Sequence, residues 1–328
     1  MRRITLGDTS VAAVGCGDVC LARSAARRVD HGEVARALHA ALVAGLDLVD
    51  VAADAEELAG NTVRALHLRD RAIVATRVPA LAVRAGGDPT RDVLSDRLPV
   101  RYVQDRIERS LRATRLDAIP LAQLPLRAFW RSSSAWPELA GTAARLVREG
   151  KVLRWGAICD AIEDDTVQLA DEAWLVSIAA PFSLCERAAE PLLATRLAVL
   201  ARHPLAGGAL AGTLGPGVRL PPDDDRLDID EPTLARVATE VARLAQFVKR
   251  MPAAARSCDP AKAQLEKNPR HEHLEADTLA ELALRAVIDR GAVALPRLHR
   301  HEHVVAALLA GSAAPLAPTL ISSLFVDT

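Results

Sequence analysis

The chain has 328 residues, half of them hydrophobic, and a formal net charge of -1. A chain of this length buries a core large enough to fold without a disulfide or a metal, and its near-neutral charge excludes a general electrostatic affinity for nucleic acid or anionic membrane. Aromatic residues, at 3%, are too few for a base-stacking surface. The five cysteines, Cys16, Cys20, Cys159, Cys185 and Cys258, are odd in number and scattered, the usage expected of reduced intracellular thiols. No apolar stretch follows Arg2 and Arg3 as a secretory signal requires, and no run reaches the roughly eighteen apolar residues of a membrane span. These features predict a cytoplasmic protein.

Taken in chain order, short apolar runs alternate with longer amphipathic stretches. Val11–Val14 is the first run. Asp30 with Glu33 three residues on predicts a capped helix whose apolar face carries Val34, Leu38, Ala41 and Leu42, stopped at Gly45. Leu46–Val51 is the next strand, followed by Ala72–Thr76, Ala118–Leu124, Trp155–Ile158, Trp174–Ile178, Leu197–Ala201 and Ala292–Leu295. Helices are predicted over Val103–Ala113, Leu139–Arg148, Leu234–Lys249 and Asp277–Arg290. Leu214–Asp230, rich in Pro, Gly and Asp, reads as a loop, and the polar, proline-broken segment Pro252–Glu275 as a surface excursion or disordered loop. Eight nearly continuous apolar strands, most of them separated by a helical stretch, point to an α/β fold in one domain over residues 1–328. A closed (β/α)8 TIM barrel is favoured over an open doubly wound sheet, since no G-x-G-x-x-G follows a strand.

Ordered motifs sharpen this expectation. Arg3–Val11 (RITLGDTSV) resembles an N-terminal β-hairpin that plugs a barrel floor, and Gly45–Ala52 (GLDLVDVA) a strand ending in Asp-Thr-Ala. Ile107–Leu116 (IERSLRATRL), Gly150–Gly156 (GKVLRWG) and His203–Gly212 (HPLAGGALAG) follow at matching spacing. In this order the motifs resemble the aldo-keto reductase superfamily over nearly the whole chain.

That resemblance implies a hydride-transfer site made of an Asp, a Tyr acid, a Lys and a His. The Asp is Asp50; the Tyr position is Ala55, the Lys position Arg77 and the His position Pro125. The chain has one tyrosine, Tyr102, at the start of a predicted outer helix. Arg77 can pair with Asp50 but, staying protonated, cannot exchange a proton. The resemblance also places nicotinamide contacts at Cys159-Asp160 and Ala179 and a stacking ring at Arg202. Phosphate contacts fall on the backbone of Leu205–Gly208 and on Arg297 and Arg300, while Ala306-Ala307 replace the family's adenosine-contacting pair.

Each group has a bland reading beside the sharp one. Asp50 with Arg77 reads as a barrel-mouth ion pair in preference to a substrate anchor. Cys159, near Asp160 and His203 in the predicted mouth, reads as an inert thiol in preference to a thiol site. Cys16-Gly17-Asp18-Val19-Cys20 ends the first strand, where it can face the cavity, but two thiols alone do not make a zinc site. The repeated Arg-His-Glu-His word at Arg270–His273 and Arg300–His303 reads as charged surface rather than metal site. No metal is predicted, and NADPH is the one cofactor the resemblance leaves possible. The expected function is a barrel that has lost ordinary NAD(P)H-dependent carbonyl reduction, either a repurposed lyase, isomerase or cyclase or a non-catalytic partner subunit. The alternatives are an NAD(P)H-dependent oxidoreductase acting on a small aldehyde, ketone or sugar, and a binding module for a small anionic metabolite. The expected partners are a small molecule in the barrel mouth or a second protein, with no nucleic acid and no membrane.

Overall fold

The computed structural model describes residues 1–26, 28–82, 93–250 and 272–325. The chain opens with an antiparallel hairpin, β1 (Arg3–Leu6) and β2 (Thr9–Ala12), paired Ile4 to Val11 and Leu6 to Thr9. Its turn passes through Gly7 at a φ of 62°, a left-handed conformation that glycine adopts without penalty. Leu6 and Val11 are buried against Leu48, Ile73, Leu121, Leu200 and Val293, so the hairpin closes the barrel floor. Asp47 holds it there, accepting from Arg3 Nη2 at 2.7 Å and from the Ala12 amide at 2.8 Å.

Eight parallel strands follow: β3 (Cys16–Val19), β4 (Leu48–Val51), β5 (Ile73–Arg77), β6 (Leu121–Pro125), β7 (Trp155–Ile158), β8 (Leu175–Pro181), β9 (Ala198–Arg202) and β10 (Val293–Leu295). Each lies beside its sequence neighbour. The ring closes between the last strand and the first, where the Ala294 amide donates to the Ala13 carbonyl at 2.9 Å. The Gly15 and Gly17 amides donate to the Ala294 and Pro296 carbonyls at 2.9 and 2.8 Å. The expected (β/α)8 TIM barrel with an N-terminal hairpin is the observed fold. One strand moves: Val11 and Ala12 of the run Val11–Val14 belong to the hairpin, Val14 makes an isolated bridge to Ala294, and the first barrel strand is β3. An apolar run says only that residues are buried; here the same run serves the floor and the start of the wall.

The helices are α1 (Leu21–Ala26), α2 (His31–Val43), α3 (Glu56–Ala65), α4 (Leu94–Arg97), α5 (Val100–Thr114), α6 (Trp136–Arg148), α7 (Glu231–Arg250), α8 (Glu272–Asp289), α9 (His301–Ser312) and α10 (Pro318–Leu324). Asp30 caps α2 by accepting from the Glu33 amide at 2.8 Å, worth about 1 kcal/mol. Gly45 follows at a φ of 94°. The connections after β7 and β8 carry only short 3-10 helices, Thr166–Asp171 and Glu190–Ala194. Trp136, Trp155 and Trp174 cover the wall beside the first of these, with ring centroids 6.0 and 6.3 Å apart. Of the excursion expected over 252–275, residues 252–271 lie outside the described residues, and 272–275 form the first turn of α8 instead of a loop. Among the described residues no helix is long and apolar enough to cross a membrane.

Candidate functional site

Strand alternation sends every second side chain into the barrel. On β4 these are Leu48 and Asp50, on β5 Ile73, Ala75 and Arg77, and on β6 Leu121 and Gln123, with Asp50 beside Ala75 and Arg77 beside Gln123 in register. Apolar residues thus fill the lower layers, while charge appears at the C-terminal ends, where barrels of this kind bind ligands. Asp50 is 1% exposed. It accepts from Arg77 through both oxygens, Nε at 2.8 Å to Oδ1 and Nη2 to Oδ2. It also accepts from Gln123 Nε2 at 3.1 Å and from the Asp18 amide at 3.2 Å.

A second carboxylate, Asp18, completes the cluster. It accepts from Arg77 Nη1 at 3.0 Å, from Arg23 Nη1 at 3.0 Å to each oxygen, and from Arg297 Nη2. Asp225 lies 3.8 Å from Arg23 Nε and 3.9 Å from Arg297 Nη2. Asp18 sits at a β3 register shift with a φ of 48°. Together with His203 (φ 53°) and Ala206 (φ 49°), it brings three non-glycine residues in the left-handed region to one end of the barrel.

Burial raises the Asp18 carboxyl pKa, but the charges of Arg297, Arg77 and Arg23 outweigh it and hold the group well below the usual carboxylate range. A carboxylate whose folded-state pKa is depressed contributes stability in full above its unfolded value of about 3.9 and loses it progressively as pH falls from there through its lower folded value. Urea-unfolding free energy is therefore expected to fall more steeply with acid below about pH 4 than in Asp18→Asn, by up to about 1.4 kcal/mol per pH unit for the one proton. Parallel pH profiles for the two proteins would remove Asp18 from the account.

The other site residues named from sequence fall into distinct places. Ala55 is fully buried in the turn after β4, and Pro125 ends β6. Tyr102, on α5, donates its hydroxyl to the Pro79 carbonyl at 2.8 Å. Cys159 is buried, its thiol directed at the Leu126 carbonyl at 3.4 Å; burial first and then Asp160 push its pKa up to about 12, so it is protonated at neutral pH. Asp160 is paired with Arg202. His203 lies exposed on the rim. Desolvation and then Arg202 lower its pKa, but water screens a group this open, and it contributes little to stability. The loop Leu205–Gly208 turns two amides inward, Ala206 onto the His203 carbonyl at 2.8 Å and Gly208 onto the Leu205 carbonyl at 2.9 Å. Arg226 braces this loop by donating to the Thr213 carbonyl at 3.0 Å while clamped on the buried Asp224. Arg300 precedes α9 and lies 3.9 Å from Glu302. His303 packs edge-on against His299 at 4.8 Å, whereas His271 lies outside the described residues.

Asp50, Arg77 and Arg297 are thus brought into one cluster, while Arg202 with Asp160 forms a separate pair. Asp18, Arg23, Gln123 and Asp225 were not singled out by sequence reasoning. The signal for Asp18 was its place at the end of the first strand. For Gln123 it was inward alternation on β6, two residues before Pro125.

Residues 13–322 match the aldo/keto reductase family, and the chain belongs to that family. Solved structures agree on the fold. A glycerol dehydrogenase from Gluconobacter oxydans is 19% identical with a TM-score of 0.68, covering 98% of this chain and 94% of its own. An aldo-keto reductase from Bacillus halodurans in its holo form is 19% identical with a TM-score of 0.64, over 98% of this chain and 95% of that one. An aldo/keto reductase from Klebsiella pneumoniae in complex with NADP and acetate is 20% identical with a TM-score of 0.62, again over 98% and 95%. No curated protein sequence matches the chain.

Proposed function

We propose that this chain is a non-redox member of the aldo/keto reductase family, a binding or partner protein whose barrel mouth holds a small molecule without reducing it. One observation carries the reading: the Arg77 guanidinium is engaged by Asp50 and Asp18 together, and Ala55 stands where the resemblance calls for the phenolic acid. Carbonyl reduction needs a proton donor beside the reacting oxygen, and neither group supplies one. Elimination and isomerisation also need a group that gains and loses a proton. The central carboxylates are committed to arginines and Cys159 stays protonated, so the non-catalytic form is favoured over a repurposed lyase, isomerase or cyclase.

The cofactor that the family implies does not fit the polar groups present. At the nicotinamide end Asp160 is tied to Arg202. At the phosphate end the Ala206 and Gly208 amides bond within their own loop. The opposing reading, an NAD(P)H-dependent oxidoreductase with an atypical site, is favoured by family membership and by the NADP in the Klebsiella pneumoniae structure. Titrating the full chain with NADPH and NADH, by calorimetry and by fluorescence quenching, separates the two. No binding up to millimolar cofactor and no turnover of an aldehyde, ketone and sugar panel are expected. Micromolar binding with turnover would return the protein to the reductases.

A further inference from the structure

Three guanidiniums from three separate parts of the chain meet on one carboxylate. Arg23 comes from α1, Arg77 from the end of β5 and Arg297 from the segment after β10, and all three donate to Asp18. Asp50 is shared only by Arg77, and Asp225 stands at 3.8 and 3.9 Å from the other two, beyond hydrogen-bond reach. Arg297 Nη1 is buried with no acceptor, although a buried donor of this kind normally finds a partner. Guanidinium forks are matched in shape and charge to the planar or tetrahedral oxygens of carboxylates and phosphates. Asp18 itself is presented from a left-handed backbone conformation that is strained for a residue with a side chain.

We propose that Arg23, Arg77 and Arg297 form an oxyanion-binding site in the barrel mouth, for the carboxylate or phosphate group of a small ligand, and that Asp18 is its intramolecular occupant. A ligand enters by displacing the Asp18 carboxylate, and the open donor on Arg297 receives its additional oxygen. The two ligand chemistries share the arginines and differ in the number of oxygens they present. This inference rests on the reading that the mouth holds a ligand without transferring hydride. Its test contains no nicotinamide cofactor, so either can fail while the other stands.

The test is calorimetric titration of inorganic phosphate and, separately, of malonate into the full chain at constant ionic strength. It compares the unaltered protein, Asp18→Asn, and Asp18→Asn combined with Arg297→Gln. Asp18→Asn is expected to bind at least one of the two anions about tenfold or more tightly than the unaltered chain, because the competing internal charge is gone. Adding Arg297→Gln is expected to abolish the gain. Preference for phosphate assigns a phosphorylated ligand, and preference for malonate a carboxylate. Equal affinity in all three proteins, or no anion binding by Asp18→Asn, overturns the proposal. If Asp18→Asn does not fold, thermal melts of the unaltered chain and Arg297→Gln carry the same decision. One of the anions must raise the melting temperature of the first more than of the second, and an equal rise or none refutes the site.

Discussion

Replacing Arg77 by methionine is expected to cost about 3–5 kcal/mol of folding stability, the range for removing one partner of a buried ion pair. The methionine keeps most of the apolar stem, so the loss comes from charge. Asp50, at 1% exposure, keeps only the Gln123 amide and the Asp18 amide as donors. An ionised carboxylate so placed is poorly compensated. For a chain of this size the melting temperature should fall on the order of 10 °C. Combining Arg77→Met with Asp50→Leu removes both charges of the deepest pair and should restore much of the loss, since apolar replacement of a buried pair is often neutral. Arg77→Lys should fall between, because an ammonium cannot repeat the fork that reaches Asp50 and Asp18 at once. A double mutant as destabilised as the sum of its single mutants would show that the pair is not the source of the cost.

The second large effect is expected at Gly17, where the barrel closes. Its amide donates to the Pro296 carbonyl, and a Cβ built there would fall inside the Leu295 carbonyl. The obstacle is main chain, so no rotamer change relieves it; alanine must push β3 and β10 apart and break the closing hydrogen bonds. Ordinary overpacking costs about 1–3 kcal/mol, and this collision is expected to exceed that range, seen as a large drop in urea midpoint or as loss of folded protein. Gly141→Ala is the matched control. Gly141 is exposed on α6 with nothing near the added methyl, and alanine there should stabilise by about 0.5–1 kcal/mol. Equal behaviour at the two positions would mean that the closure at Gly17 is looser than its geometry indicates.

Much of the architecture was legible because it is written in local signals. The Asp30 cap, the apolar face of α2 and the stop at Gly45 depend on residues within a turn or two of one another. So do the apolar runs of the wall, although their ends shifted, as at β6, which runs over Leu121–Pro125 where Ala118–Leu124 was expected. Burial alone does not say where ladder pairing begins. Nothing local in Thr166–Asp171 or Glu190–Ala194 announces a short 3-10 helix in place of a longer α-helix; the tryptophans that cover the wall beside the first of them come from α6, β7 and the turn before β8.

By itself, the sequence determined the repeating strand and helix order, the hairpin, and the residue types available for chemistry, including a lone tyrosine placed on α5. Only the tertiary structure decided which charges meet. Asp18 and Arg297 are 279 positions apart, and no spacing rule joins them. They become neighbours because closing the ring sets the first strand beside the last. The same closure carries Arg77 between two carboxylates instead of one. Hydrophobic periodicity acts within an element, whereas an ion pair in the mouth depends on where eight strand ends arrive in space.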